Sequence, residues 1–287
     1  MRAEAFAPVL DRIREEGLTV YGIETWDGEE EQILLRRDTK RHNIYSVTKA
    51  VTGLAAGMAI DRGVIAADSP VADFFPEIGA DPDRAARFAG VTLERLLTMS
   101  LPGMDFQVGG DSWLEHALSQ PVEAQDRGFC YSNQTAYLAG VAVSRALGED
   151  LGPFLQRELF APLGITPPKY ERSPEGLFYG ASKLRLNTSE TAKIGRIYLG
   201  YGEAFGRRFV SETYVRRALT PLQPTDGEGY GYYLWKRGSS MVMEGTNGQR
   251  VILCPERGRM LTMLAHIESE EIADRLTAFL RDALLEA

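Results

Sequence analysis

The sequence has 287 residues, of which 44% are hydrophobic and 25% are charged. These proportions are ordinary for a globular protein and exclude wholesale disorder, and the length allows one large domain with a sizeable buried core. The formal net charge of -8 argues against a nucleic acid or an anionic membrane as a partner. No stretch approaches the roughly 18 apolar residues that a transmembrane helix needs.

The first residues, MRAEAFAPVLDRIREEGL, are amphipathic and charged and lack the apolar segment of a secretory signal. We therefore expect a cytoplasmic protein in which Cys130 and Cys254 are free thiols. The two cysteines and the histidines His42, His116 and His266 do not have the spacing of a zinc site. No metal and no other cofactor is expected.

The predicted elements begin with a helix over residues 3–16, where apolar residues recur at helical spacing. Two alternating apolar runs at 18–26 and 30–37 lie on either side of Asp27-Gly28, and this pattern predicts a β-hairpin.

From Asn43 to Gly63, small and apolar residues occupy nearly all sides of a predicted helix, which indicates that the helix is buried, with Asn43 as its N-cap. Further helices are predicted at 91–100, 133–148, 150–164 and 187–200, the last capped by Thr188 or Ser189. Short runs divided by glycine and proline then predict antiparallel strands at 230–238, 240–245, 249–256 and 259–267, followed by a helix at 271–285.

Strands therefore lie at both ends of the chain and helices lie between them. The economical fold is of the α+β class: one antiparallel sheet built from both chain ends, flanked by the terminal helices, with an inserted all-helical lobe. We expect a single domain over 1–287, with a sheet lobe at 1–65 plus 180–287 and a helical lobe at 66–179.

Ser46 and Lys49, near the start of the buried helix, are the first candidates for chemistry. A spacing of three residues puts both side chains on one helix face. Burial lowers the pKa of a lysine, and a neutral lysine is a base that can activate a serine hydroxyl as a nucleophile. This is the only Ser-x-x-Lys pair in the chain. The alternative is a surface pair without a role.

Two further segments could complete such a site. In Tyr131-Ser132-Asn133, a tyrosine hydroxyl can relay a proton if neighbouring cations lower its pKa, and an asparagine can orient a lysine or a substrate amide. The segment 244–249, between two predicted strands, can bring backbone N–H groups against a substrate carbonyl. Taken alone, the segment Tyr131-Ser132-Asn133 is equally consistent with a buried tyrosine and a capping asparagine. The segment 244–249, taken alone, is more typical of a plain hairpin loop.

Together these motifs resemble the serine β-lactamase and penicillin-recognising family, and specifically its class C β-lactamase-related esterases and peptidases. The order agrees: Ser-x-x-Lys, then Tyr-x-Asn, then a glycine-containing strand. The resemblance extends to NIYSVTKAVTGLAAGMAIDRGVIAADSPVADFFPEI, VTLERLLTMSLPGMDF and FCYSNQTAYLAGVAVSRALG, and covers roughly residues 40 to 267.

The resemblance implies roles for these residues. Ser46 would form an acyl-enzyme, Lys49 and Tyr131 would share the proton transfers, and Asn133 would orient Lys49 or the substrate. The backbone N–H of Ser46 and that of Thr246 or Asn247, beside Gly245, would form the oxyanion hole.

The third motif departs from the family pattern. β-Lactamases carry Lys-Thr-Gly there and many esterase relatives carry a histidine, whereas the corresponding position here is Met243 or Thr246. The missing cation argues against a carboxylate-bearing β-lactam and favours a neutral ester or small amide. Arg250 or Arg185 could supply a cation from elsewhere.

The expected function is thus hydrolysis of a small-molecule ester or amide. A true β-lactamase or D-amino-acid-specific peptidase is the first alternative, and a catalytically idle binding module of the same fold is the second. The natural substrate, the preferred acyl-chain length and the oligomeric state are left open by the sequence.

Overall fold

A computed structural model describes residues 3–287 of the chain. Its main sheet is six-stranded and antiparallel, in the order β2-β1-β10-β9-β8-β7. These strands are β1 (Thr19–Trp26), β2 (Glu31–Arg36), β7 (Trp235–Arg237), β8 (Ser240–Gly245), β9 (Gln249–Cys254) and β10 (Arg259–His266). Two small pairs lie outside the main sheet: β3 (His42–Asn43) with β4 (Arg185–Leu186), and β5 (Glu203–Ala204) with β6 (Arg207–Arg208).

The helices lie at both ends of the chain and between the strands. They are α1 (Ala7–Glu15), α2 (Thr48–Asp61), α3 (Pro76–Gly79), α4 (Pro82–Arg87), α5 (Leu93–Leu97), α6 (Trp113–Leu118), α7 (Asn133–Leu147), α8 (Leu151–Leu155), α9 (Thr188–Leu199), α10 (Glu212–Ala218) and α11 (Glu270–Glu286). Within residues 3–287, none of the helices is long and apolar enough to cross a membrane.

The two chain ends meet in the middle of the sheet. Strand β1 pairs with β10, from Thr19 opposite His266 to Trp26 opposite Met260. One face of the sheet packs on α1 and α11 through a cluster that includes Val20, Ile23, Leu276 and Leu280. This arrangement confirms the predicted α+β fold. The division into two lobes stays a prediction.

Helix α2 passes through the larger core, as its composition predicts. Every residue from 48 to 59 is buried. The predicted N-cap is wrong, however, because Asn43 belongs to β3 and α2 begins only at Thr48. The Asn43 side chain accepts a hydrogen bond from the N–H of Tyr45 at 2.8 Å, so it stabilises the turn before the helix instead of the helix itself.

Other boundaries also differ from the prediction, and the helices predicted at 91–100 and 150–164 are shortened to α5 and α8. Helix α9 is capped by Asn187, which forms a capping box with Glu190, and not by Thr188 or Ser189. The strand predicted at 230–238 is reduced to β7, because the backbone before it turns: Tyr233 has a φ of 64°, and the N–H of Tyr232 donates to the carbonyl of Ala218. The aromatic residues of this segment are buried in the core. Helices α3, α4, α6 and α10 were not predicted.

Helix α2 approaches α10 closely at Gly57. A Cβ atom at Gly57 would lie 2.6 Å from ring carbons of Tyr214 and from Cγ2 of Val210. We expect Gly57→Ala to lower the free energy of unfolding by about 1–3 kcal/mol, because this well-packed contact must move apart. Gly79 is a control in α3, since a Cβ there meets nothing within 4 Å. Urea denaturation of both variants should show no loss for Gly79→Ala; equal effects would contradict the packing account.

Candidate active site

Ser46 lies in a 3-10 turn, Tyr45–Val47, that joins β3 to α2. The preceding residue, Tyr45, has a φ of 46°, in the left-handed region that residues other than glycine rarely adopt. The Asn43 side chain accepts a hydrogen bond from the backbone N–H of Tyr45, and the Asn247 side chain donates to the Tyr45 hydroxyl at 3.1 Å. The turn thus fixes the position of Ser46 at the mouth of a cleft, and backbone strain of this kind is concentrated at functional sites.

Lys49 lies in the first turn of α2 and its side chain is 1% exposed. Its Nζ donates to Ser46 Oγ at 3.0 Å, to Asn133 Oδ1 at 2.6 Å and to the carbonyl of Ala181 at 2.9 Å. Burial lowers the pKa of Lys49 to about 7. The amine therefore loses its proton at near-neutral pH while remaining in hydrogen-bond contact with the serine hydroxyl.

Tyr131 and Asn133 come to the same place from the start of α7. Asn133 connects two partners, because its Oδ1 accepts from Lys49 and its Nδ2 donates to Gln107 Oε1 at 3.1 Å. The ring centroid of Tyr131 lies 4.8 Å from Lys49 Nζ. Burial raises the pKa of Tyr131 far above its ordinary value, and the hydrogen bond with Ser46 offsets this only in part. The condition considered from the sequence, a Tyr131 pKa lowered by neighbouring cations, is not met, and Tyr131 is a neutral phenol.

The third segment lies against the Ser46 turn. A Cβ atom at Gly245, the last residue of β8, would lie 2.6 Å from the carbonyl oxygen of Ile44 and 3.2 Å from the backbone nitrogen of Ser46. Only glycine allows this close approach. Thr246 follows and lines the cleft beside Ser46. The N–H of Asn247 donates to Glu270 at 3.2 Å, so of the two candidate partners for an oxyanion, Thr246 is the better placed.

The cleft has two arms that meet at Ser46. The larger, about 430 Å³, is lined by Ser46, Phe106, Tyr131, Trp235, Glu244, Gly245, Thr246, Arg250, Glu270 and Asp274. The smaller, about 230 Å³, is lined by Asn43, Tyr45, Ser46, Phe106, Gln107, Asn133, Tyr179, Ser182, Lys183 and Thr246. The sequence did not reveal Phe106, Gln107, Trp235 or the α11 acids, because none of them belongs to a recognisable motif.

The charges of the larger arm do not favour an anion. Arg250 is buried, but it donates to the carbonyl of Gly245 at 2.7 Å and to Asp274 at 2.9 Å, and it lies 3.6 Å from Glu270. Glu244 is bound by Arg237 at 2.9 and 3.1 Å. Of the two arginines considered from the sequence, Arg250 lines the cleft, whereas Arg185 is exposed and pairs with Asn43 in the β3–β4 strand pair. Acidic side chains from α11 already pair with Arg250, although its buried Nε has no hydrogen-bond partner within the described residues.

The antiparallel sheet, the buried helix and the Ser46–Lys49 contact together define a serine hydrolase fold. A family model described as "Beta-lactamase" matches residues 25–285. The chain belongs to the β-lactamase family.

Individual relatives agree with this assignment. A "Beta-lactamase" of Escherichia coli (strain K12) is 28% identical over 193 residues, which are 63% of this chain and 48% of the relative; the matched part of the chain thus corresponds to about half of that protein. Two solved structures share the fold. A protein of Bacillus anthracis described as a 6-aminohexanoate-dimer hydrolase has a TM-score of 0.77 at 13% identity, over 94% of this chain and 80% of its own. A mutant simvastatin synthase (LovD) of Aspergillus terreus has a TM-score of 0.73 at 16% identity, over 99% and 97%.

The buried amine of Lys49 makes a pH-dependent contribution to stability. Its pKa is lowered to about 7 in the folded state, so between that pH and its ordinary pKa near 10.4 the unfolded chain binds more protons and folding becomes more favourable as pH rises. The wild type should therefore gain stability relative to Lys49→Met from pH 7 to pH 10. The free energy of unfolding of Lys49→Met minus that of the wild type should decrease by up to about 1.4 kcal/mol per pH unit. Urea denaturation of both proteins at each pH measures this, and a constant difference would show that Lys49 keeps an ordinary pKa.

Proposed function

We propose that this protein is a serine hydrolase that cleaves an ester or small amide through an acyl-enzyme on Ser46. The observation that carries the proposal is the 3.0 Å contact between Ser46 Oγ and the buried amine of Lys49, whose pKa is about 7. A base with a pKa near the working pH is the most effective partner for a weak nucleophile.

In the proposed first step, neutral Lys49 accepts the proton of Ser46 as Oγ bonds to the substrate carbonyl carbon. The backbone N–H groups of Ser46 and Thr246 stabilise the negative charge that develops on the carbonyl oxygen. The bond to the leaving group then breaks, and the neutral phenol of Tyr131 donates a proton to that group and regains one from Lys49. Water releases the acyl group in a second addition, and the serine hydroxyl is restored.

The charges of the larger arm support a neutral substrate and hence an esterase-like role. The proposed relation to the class C β-lactamase-related esterases rests on the order of the sequence motifs. Met243 is fully buried and Thr246 carries no charge. The carboxylates of Glu270 and Asp274 are about half to two-thirds exposed beside Arg250, so a substrate carboxylate there would meet repulsion as well as attraction. The two structural relatives are named a 6-aminohexanoate-dimer hydrolase and a simvastatin synthase, whereas the sequence relative is named a β-lactamase; the charges of the cleft, and not these names, carry the proposal of a neutral substrate.

A true β-lactamase or D-amino-acid-specific peptidase is the second candidate. One observation favours it: Arg250 lies in the same cleft as Ser46 and could contact a substrate carboxylate if its acidic neighbours moved away. A binding module without catalysis is disfavoured, because such a module has no need to bury a lysine amine against a serine hydroxyl, and burial of an amine is costly.

Replacement of the nucleophile should abolish hydrolysis while leaving the fold intact. We expect Ser46→Ala to lower kcat for p-nitrophenyl butyrate by a factor on the order of 10⁴ and to prevent labelling by a fluorophosphonate, with mass spectrometry of the wild type placing the adduct on Ser46. The exposed serine Ser119 provides the matched control variant Ser119→Ala, which should keep full activity. A Ser46→Ala protein that retains more than a few per cent of the rate would exclude Ser46 as the nucleophile.

A further prediction concerns the charge of the substrate. kcat/KM for p-nitrophenyl butyrate should exceed that for nitrocefin, because a charge-assisted hydrogen bond to the β-lactam carboxylate, worth roughly 1.5–3 kcal/mol, is missing. Asp274→Asn removes one of the negative charges that compete with a substrate carboxylate for Arg250, and it should raise nitrocefin efficiency about tenfold without a comparable gain for the ester. Asp282→Asn, an exposed position on the same helix, is the control. Higher wild-type efficiency on nitrocefin would promote the β-lactamase alternative.

A further inference from the structure

Phe106 occupies an unusual position for a large apolar side chain. It lies in the connection between α5 and α6, and half of its surface, 50%, is exposed. It lines both arms of the cleft, as do Ser46 and Thr246. Ser46 is the proposed nucleophile and Thr246 a proposed oxyanion donor, so Phe106 is the member of this shared set for which the mechanism has no role.

The backbone around Phe106 is fixed directly to the catalytic motif. The N–H of Asn133 donates to the carbonyl of Phe106 at 2.8 Å. The hydroxyl of Ser132 donates to the backbone carbonyl of Asp105 at 2.6 Å, and the side-chain amide of Gln134 donates to the backbone carbonyl of Gln107 at 2.7 Å. Three successive carbonyl groups are thus held by three successive residues at the start of α7. The backbone at Phe106 is therefore fixed in position, and its side chain lies outside the core.

The ring of Phe106 extends an aromatic wall along the larger arm. Its centroid lies 6.1 Å from that of Tyr131, in a stacked orientation, and Tyr131 lies 5.6 Å from Trp235. Exposing an apolar ring to water has a free-energy cost that a polar residue would avoid. What distinguishes Phe106 from other exposed apolar side chains is its place at the junction of two cavities beside Ser46, where the ring can contact a substrate.

We propose that Phe106 is a specificity-determining residue: its ring separates the two arms of the cleft and limits the length of the acyl chain that can reach Ser46. This inference rests on the proposed hydrolase function and adds a substrate class to it, namely esters or amides of short, uncharged acyl groups. A short acyl chain ends against the ring, whereas a longer chain must displace it. Apolar pockets discriminate by roughly 10–200-fold for each methylene that fits or fails to fit.

The test compares p-nitrophenyl acetate, butyrate and octanoate. In the wild type, kcat/KM should be greatest for acetate or butyrate. In Phe106→Ala the two arms merge, and the ratio of kcat/KM for octanoate to that for acetate should rise at least tenfold. Phe205→Ala is the matched control, because Phe205 is also about half exposed, at 47%, and does not line the cleft; its ratio should equal that of the wild type.

The ratio separates a role in specificity from a purely structural one. If Phe106→Ala lowers all three efficiencies by the same factor, or leaves the ratio unchanged, the inference is wrong. If Phe106→Ala fails to fold, Phe106→Leu is measured in its place, with an expected rise of about threefold; an unchanged ratio again overturns the inference. Hydrolysis that persists in Ser46→Ala would instead defeat the proposed function, so the two failures are distinguishable.

Discussion

The burial of the Lys49 amine determines most of the arrangement of the candidate active site. An isolated charged lysine in a protein interior is very unfavourable. Lys49 has a pKa lowered to about 7, and its Nζ has three hydrogen-bond partners: the Ser46 hydroxyl, the Asn133 side-chain oxygen and the Ala181 carbonyl. These partners come from three parts of the chain: the turn before α2, the start of α7, and the segment before β4. These parts must therefore be assembled before the amine is satisfied, so the fold of both the helical region and the sheet region is a condition for a functional Lys49.

The sheet supplies the second constraint, through the distance between β8 and the Ser46 turn. At Gly245 the strand passes so close to Ile44 and Ser46 that no Cβ can be accommodated without movement. Strand β8 is held in register by β9 on one side and β7 on the other. The position of the oxyanion donors thus depends on the pairing of β8 within the sheet, while Ser46 comes from a turn about 200 residues earlier in the chain.

The sequence was informative where local pattern and local structure coincide. The hairpin, the buried helix and the Ser46–Lys49 contact follow from alternation, composition and a three-residue spacing, and the structure contains all three. It was less informative where tertiary contacts decide. Asn43 has the residue type of an N-cap but is taken into β3, and the aromatic run before β7 turns into the core. Glu270 and Asp274 reach the cleft only because α11 packs beside β9, which no spacing in the sequence indicates.

The proton affinities of Lys49 and Tyr131 decide how these two residues share the chemistry. Lys49 is fully buried and Tyr131 is partly buried at the edge of the cleft. Desolvation disfavours the charged form of each, so it lowers the pKa of the amine and raises that of the phenol. The nearby carboxylate of Glu244 raises the pKa of Tyr131 further. Near neutral pH the resting site therefore contains an amine that can accept a proton and a phenol that retains one. Under the proposed mechanism, the lower pKa of Lys49 makes it the base for Ser46, and the higher pKa of Tyr131 makes it the proton donor to the leaving group. Desolvation of both side chains thus sets both roles, and no histidine takes part.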